Sequence, residues 1–143
     1  LAQTIPITGI LVVTTPQDVA SNVAVKAIGM FEKLNVPILG VIENMSHFIC
    51  PACTEKHYIF GEGGAKKISE QFKIPFLGEI PLNSGIMAGS DLGKPIMITN
   101  PDSPSANAFR TSAKNIAAQC SILAQKMQEE MKSESTNESI PTS

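Results

Sequence analysis

Three short apolar runs decide what this chain can fold into: Gly9-Ile10-Leu11-Val12-Val13-Thr14, Ile38-Leu39-Gly40-Val41-Ile42 and Phe76-Leu77-Gly78-Glu79-Ile80. Continuous runs of this length, rich in branched side chains, are expected of strands buried on both faces. Between the first two, Val19, Val23, Ala27, Met30, Phe31 and Leu34 recur at helical spacing. Pro16 and Asp18 suit the first turn of that helix, and Asn35-Val36-Pro37 ends it. Gly61-Glu62-Gly63-Gly64 opens a shorter helix with Ala65, Ile68 and Phe72 on one face. Ile96-Met97-Ile98-Thr99 reads as a short fourth strand. Pro101 and Pro104 bracket the start of a last helix, whose stripe is Phe109, Ala113, Ile116, Cys120, Leu123 and Met127. From Lys132 the composition turns polar, and residues 132–143 are expected to form a disordered tail.

Strands that alternate with amphipathic helices imply an α/β fold, a mostly parallel sheet with helices on both faces. Ligands of such sheets bind beyond the carboxyl ends of the strands. Thr14-Thr15, Asn44 and Pro81-Leu82-Asn83 all fall at those ends and are expected to share one rim, from which residues 44–60 leave as an irregular loop.

Bulk properties narrow the function. A chain of 143 residues is one domain or part of one, and 43% apolar residues suffice for a packed core. Lys and Arg number 11 against 13 Asp and Glu, with no basic block, which argues against a nucleic-acid partner. The apolar runs are far shorter than the roughly 20 residues that cross a bilayer, so no membrane partner is expected. Leu1 to Pro6 carry no basic segment or cleavage pattern, which predicts no secretory signal; without an initiator Met, the natural N-terminus is expected to be missing. Three cysteines, two of them close together, argue for a reducing compartment and metal or redox use.

That close pair, Cys50-Pro51-Ala52-Cys53, is the strongest chemical signal. Two thiolates three positions apart can grip one metal centre, and Pro51 stiffens the link between them. Three readings stay open. His47, Cys50, Cys53 and His57 are spaced to close one tetrahedral zinc site. Alternatively, Cys50 and Cys53 from two chains supply four thiolates to an iron–sulfur cluster. The pair can also be a thiol–disulfide couple or a plain turn. Taken singly, His47 and His57 read as solvated loop residues, and Cys120 as a small buried hydrophobe. Gly61 to Lys67 lacks the spacing of a phosphate loop. Asn44 suits the edge of a purine or a turn.

Taken in order, further segments resemble the Mrp/ApbC family of P-loop ATPases that carry iron–sulfur clusters, relatives of MinD and the nitrogenase iron protein. The segments are Val13 to Ala20, Asn35 to Gly40, Glu43-Asn44-Met45-Ser46 before Cys50-Pro51-Ala52-Cys53, Ile59 to Ala65, Leu77 to Leu82, Gly93 to Ile96 and Pro101 to Pro104. The resemblance assigns 1–131 to the C-terminal part of the family's domain. It implies a homodimer in which Cys50 and Cys53 of each copy hold one 4Fe-4S cluster, passed on to apo iron–sulfur proteins, with the histidines left out. It implies ATP binding, with Asn44, Pro81, Leu82 and Asn83 flanking the adenine. The family's Walker A loop and both switch segments precede the point where this sequence starts, so the chain alone is not expected to hydrolyse ATP. A cytoplasmic location is implied, with the mitochondrial matrix as the alternative. A zinc-stabilised interaction module remains the rival function.

Overall fold

The computed structural model describes residues 7–137. Strand β1 (Ile10–Thr14) leads into helix α1 (Asp18–Lys33), then strand β2 (Ile38–Ile49) and the two-residue strand β3 (Lys56–His57). Helix α2 (Gly64–Phe72), strand β4 (Phe76–Leu82), helices α3 (Ser84–Asp91) and α4 (Ile96–Thr99), and the long helix α5 (Pro104–Asn137) follow. β2 is the spine of the sheet. It runs parallel to β1 on one side and to β4 on the other, and its far end pairs antiparallel with β3.

The pleat sends successive side chains to opposite faces, and each face has its own core. Val12 and Val41 pack with Ala24 and Ile28 of α1 and with Ala65 and Ile68 of α2. Ile42, Leu77 and Ile80 look the other way, against Ile86 of α3 and Ala108 and Ile116 of α5. Helices therefore cover both faces of a mostly parallel sheet, as the alternation of runs predicts. Ile28 and Val41 are wholly buried, and each such side chain contributes about 1.5–3 kcal/mol. Asp18 in the first turn and Lys33 in the last suit the dipole of α1.

Gly40 sits inside β2 at φ +148°, and a Cβ there would strike the Pro75 carbonyl and the Leu77 side chain. Only glycine lets β2 and the start of β4 approach so closely.

β1 has no strand on its outer side among the described residues. Val13 of that strand and Val19, Val23 and Met30 of α1 are exposed. An unpaired strand edge flanked by bare apolar side chains is the arrangement expected of a sheet whose next element lies outside these residues.

Four segments depart from the sequence expectation. Ile96–Thr99 is a helix, not a strand: the Ile98 N–H donates to the Pro95 carbonyl at 2.8 Å, and the Asn100 N–H donates to Ile96 at 2.9 Å. A run of four apolar residues has no periodicity to distinguish the two. Residues 44–49 are the continuation of β2, and 56–57 are its hairpin partner, so the expected irregular loop shrinks to 50–55 and the stretch from 58 to α2. The short α3, with glycines at 85 and 89, gives no helical signal in the sequence but is capped by Asn83, whose side-chain oxygen accepts the Gly85 N–H at 2.7 Å. α5 stays helical to Asn137, past Lys132, where the tail was expected to begin; 138–143 lie outside the described residues.

Candidate functional site

β2 carries both halves of the site. Its middle reaches the rim, where Thr14 pairs with Glu43 and Asn44 pairs with Ile80. Its far end, Ile49, leads directly into Cys50. Met45 sits between the two at φ 52°, at a break in the register with β4. Beyond that break Phe48 is flanked by Leu82 of β4 and His57 of β3. The rim and the cysteine hairpin are thus two stations on one strand.

The rim gathers the expected residues only in part. Thr14, Thr15 and Asn44 line an open, mostly apolar groove of about 590 Å³ between β1 and α1. The Thr15 hydroxyl is buried beside it with no hydrogen-bond partner. Asn44 Oδ1 accepts the N–H of Met45 at 2.9 Å, which orients its amide. On the other sheet face Asn44 also borders a cavity of about 330 Å³ with Ile80 and Phe109. Pro81 is buried and lines a separate cavity with His47 and Lys56. Leu82 is half-buried, and Asn83 has its oxygen committed to the α3 cap. The side-chain oxygens of Asn44 and Asn83 are thus both engaged by a neighbouring backbone N–H.

Two buried polar groups at the rim escape a reading by spacing. Glu43 is 1% exposed, and its Oε2 accepts the Ala65 N–H at 2.8 Å, joining the middle of β2 to the first turn of α2. His47 is buried, with Nδ1 3.2 Å from Ser46 Oγ and 3.7 Å from Glu79 Oε2. Burial, with Lys56 nearby, holds the His47 pKa below its ordinary value against the opposing pull of Glu79 and Glu43. Burial pushes Glu79 upward, but the Lys66 ammonium at 2.8 Å outweighs it, and the carboxyl ends below its usual range. A partner distant in sequence explains each: nothing near Glu43 announces Ala65, and nothing near His47 announces Glu79.

The hairpin holds the sulfurs. The Cys50 N–H donates to the Glu55 carbonyl at 3.0 Å, and the Thr54 N–H donates to the Cys50 carbonyl at 2.8 Å. Backbone N–H groups of Cys53 and Ala52 point at the Cys50 sulfur and lower its pKa, which favours the thiolate that binds metal. Both cysteines are free. The ligand atoms of Cys50, Cys53 and His57 lie within 4.8 Å of one another. Glu55 Oε2 is 3.9 Å from Cys53 Sγ. His47 does not join this group, which removes it from the four-residue zinc reading: His47 faces Glu79 inside the fold, while the β3 register brings His57 near the sulfurs. Cys120 is half-buried in α5.

Comparison with known proteins is consistent with this geometry. Residues 1–117 match the ParA family model described as a NUBPL iron-transfer P-loop NTPase. The iron-sulfur cluster transfer protein NUBPL of Dictyostelium discoideum is 46% identical over 123 residues, which is 86% of this chain and 38% of that protein. The iron-sulfur cluster carrier protein of Escherichia coli K12 is 47% identical over 119 residues, 83% of this chain and 32% of that protein. An Arabidopsis thaliana protein named as an iron-sulfur protein required for NADH dehydrogenase, mitochondrial, is 42% identical over 81% of this chain and 37% of its own length. The chain thus spans about a third of the length of the curated relatives it matches. Among solved structures, a nucleotide-binding protein from Archaeoglobus fulgidus in complex with ADP superposes with a TM-score of 0.56 at 40% identity, covering 68% of this chain and 39% of that one. The cell division ATPase MinD of Pyrococcus furiosus superposes at 0.58 with 25% identity, over 76% of this chain and 41% of its own.

Proposed function

From the premise that this chain belongs to the ParA-type family of NUBPL iron-transfer P-loop NTPases, we propose that the protein carries an iron–sulfur cluster and delivers it to apo-proteins. The cargo is a 4Fe-4S cluster, and a second copy of the chain completes its ligand set. The observation that carries this reading is the hairpin itself. It presents two free sulfurs, one of them held toward the thiolate by backbone donors, and two per chain is half of the four thiolates such clusters take. Ligands on a solvent-facing turn suit release better than permanent storage.

ATP binding belongs to the proposal for the whole protein. Asn44 and the Pro81-Leu82-Asn83 corner would hold the base; the side-chain oxygens of both asparagines already accept a backbone N–H. The match to an ADP-bound relative supports nucleotide binding. Recipients are apo iron–sulfur proteins. The compartment we propose is the cytoplasm; the Arabidopsis relative favours the mitochondrial matrix as the second reading.

Anaerobic reconstitution tests the proposal. The parent protein should take up iron and sulfide in the ratio of one 4Fe-4S cluster per two chains and elute as a dimer. Cys50→Ala or Cys53→Ala should abolish the visible absorption. A Cys50→Ala protein that still assembles the full cluster overturns the reading.

A further inference from the structure

The geometry points to a second use of the hairpin: one chain alone binds a single thiophilic divalent cation, zinc or iron(II), through Cys50 Sγ, Cys53 Sγ and a ring nitrogen of His57. This site needs no second copy and adds a ligand that the shared-cluster reading leaves aside. It does not rest on that reading, and either can fail without the other.

Three observations carry it. The three ligand atoms lie within 4.8 Å of one another. Tetrahedral bonds of about 2.3 Å to sulfur and 2.0–2.1 Å to nitrogen put ligand atoms roughly 3.5–3.8 Å apart, so closing the site needs a shift of about an ångström. The arrangement is built into the backbone rather than left to side-chain chance. Phe48 pairs with His57 and Ile49 with Lys56, while Cys50 and Glu55 close the turn, so the hairpin register fixes His57 against the cysteines. Finally, the donor set is selective: two thiolates and an imidazole suit zinc or iron(II) and disfavour magnesium or calcium.

Cys53 and His57 are exposed, so solvent reaches the three ligand atoms. A water completes the tetrahedron. Both thiol protons leave as the ion binds, so affinity rises with pH. The single ion and the shared cluster take the same two sulfurs and exclude one another. Zinc loading therefore blocks cluster uptake chain for chain.

Anaerobic titration of the reduced protein with cobalt(II), a visible stand-in for zinc, tests this. Tetrahedral ligand-field bands should saturate at one cobalt per chain with the elution volume unchanged, and zinc should displace them. Cys50→Ala or Cys53→Ala should remove the bands. His57→Ala, a change at an exposed position, should weaken cobalt binding on the order of tenfold or more and lower the band intensity. Cobalt bound as tightly by His57→Ala as by the parent, or saturation at one cobalt per two chains, overturns the inference. Cluster reconstitution on the same His57→Ala protein separates the two readings, because a shared cluster forms there whether or not the cobalt site survives.

Discussion

Glu43 and Ala65 stand 22 positions apart in the chain, yet the Ala65 N–H donates to Glu43 Oε2 at 2.8 Å with both residues buried. This bond satisfies one of the amides that a helix leaves unpaired in its first turn. It also fixes α2 to the point where β2 reaches the rim. Glu43→Ala leaves a buried donor without a partner and should cost about 1–3 kcal/mol in chemical denaturation. Glu43→Gln keeps an acceptor of the same shape and should cost less. Equal losses in the two variants would show that the acceptor is not what matters.

Gly40 admits no side chain. A Cβ at φ +148° meets the Pro75 carbonyl and Leu77, both in the connection to or the body of β4. Gly40→Ala should therefore lower stability by about 1–3 kcal/mol from backbone strain alone, with the clash added to that. Thermal melts read it directly. A neutral result would mean that the β2–β4 spacing relaxes freely.

Acid should loosen the fold in two stages. His47 resists protonation in the folded chain, whereas the unfolded chain takes up that proton near pH 6.5. Its contribution is thus complete above that pH and is lost as the pH falls below it. Glu79, held below its ordinary range by Lys66, follows the same sign in a lower window, losing its contribution as the carboxyl protonates. The melting temperature should fall from pH 7 to pH 5 and again toward pH 4. His47→Gln should flatten the upper stage only.

The outer edge of β1 governs how this stretch behaves by itself. Val13 of β1 is 57% exposed, Val23 of α1 is 64% exposed, and the outer edge of β1 is unpaired among the described residues. A polypeptide of residues 1–143 alone should self-associate, as light scattering would register, and Val13→Lys should reduce that association. A monodisperse, fully soluble parent would show that the edge is covered from within.

What could be read from residues alone follows from how local each cause is. The β1, β4 and inner β2 runs were legible because burial on both faces leaves an unbroken apolar signature. The cysteine pair was legible because its spacing is its chemistry. Ile96–Thr99 was not, since four apolar residues fit either period and the Pro95 carbonyl decides the outcome. The outer half of β2 was hidden because Glu43, Ser46 and His47 are polar yet buried, through contacts with α2 and β4 that no window contains. Spacing placed both histidines beside the cysteines with equal weight. Only the hairpin register separates them, sending His57 to the sulfurs and His47 inward.

β2 runs 12 residues, anchored in the core at Val41 and ending one position before Cys50. Beyond the Met45 kink, an arm of about 13 Å at the usual rise reaches to the turn. That arm is held on both sides, Phe48 pairing with Leu82 and with His57, so the turn that carries the sulfurs inherits its position from the sheet.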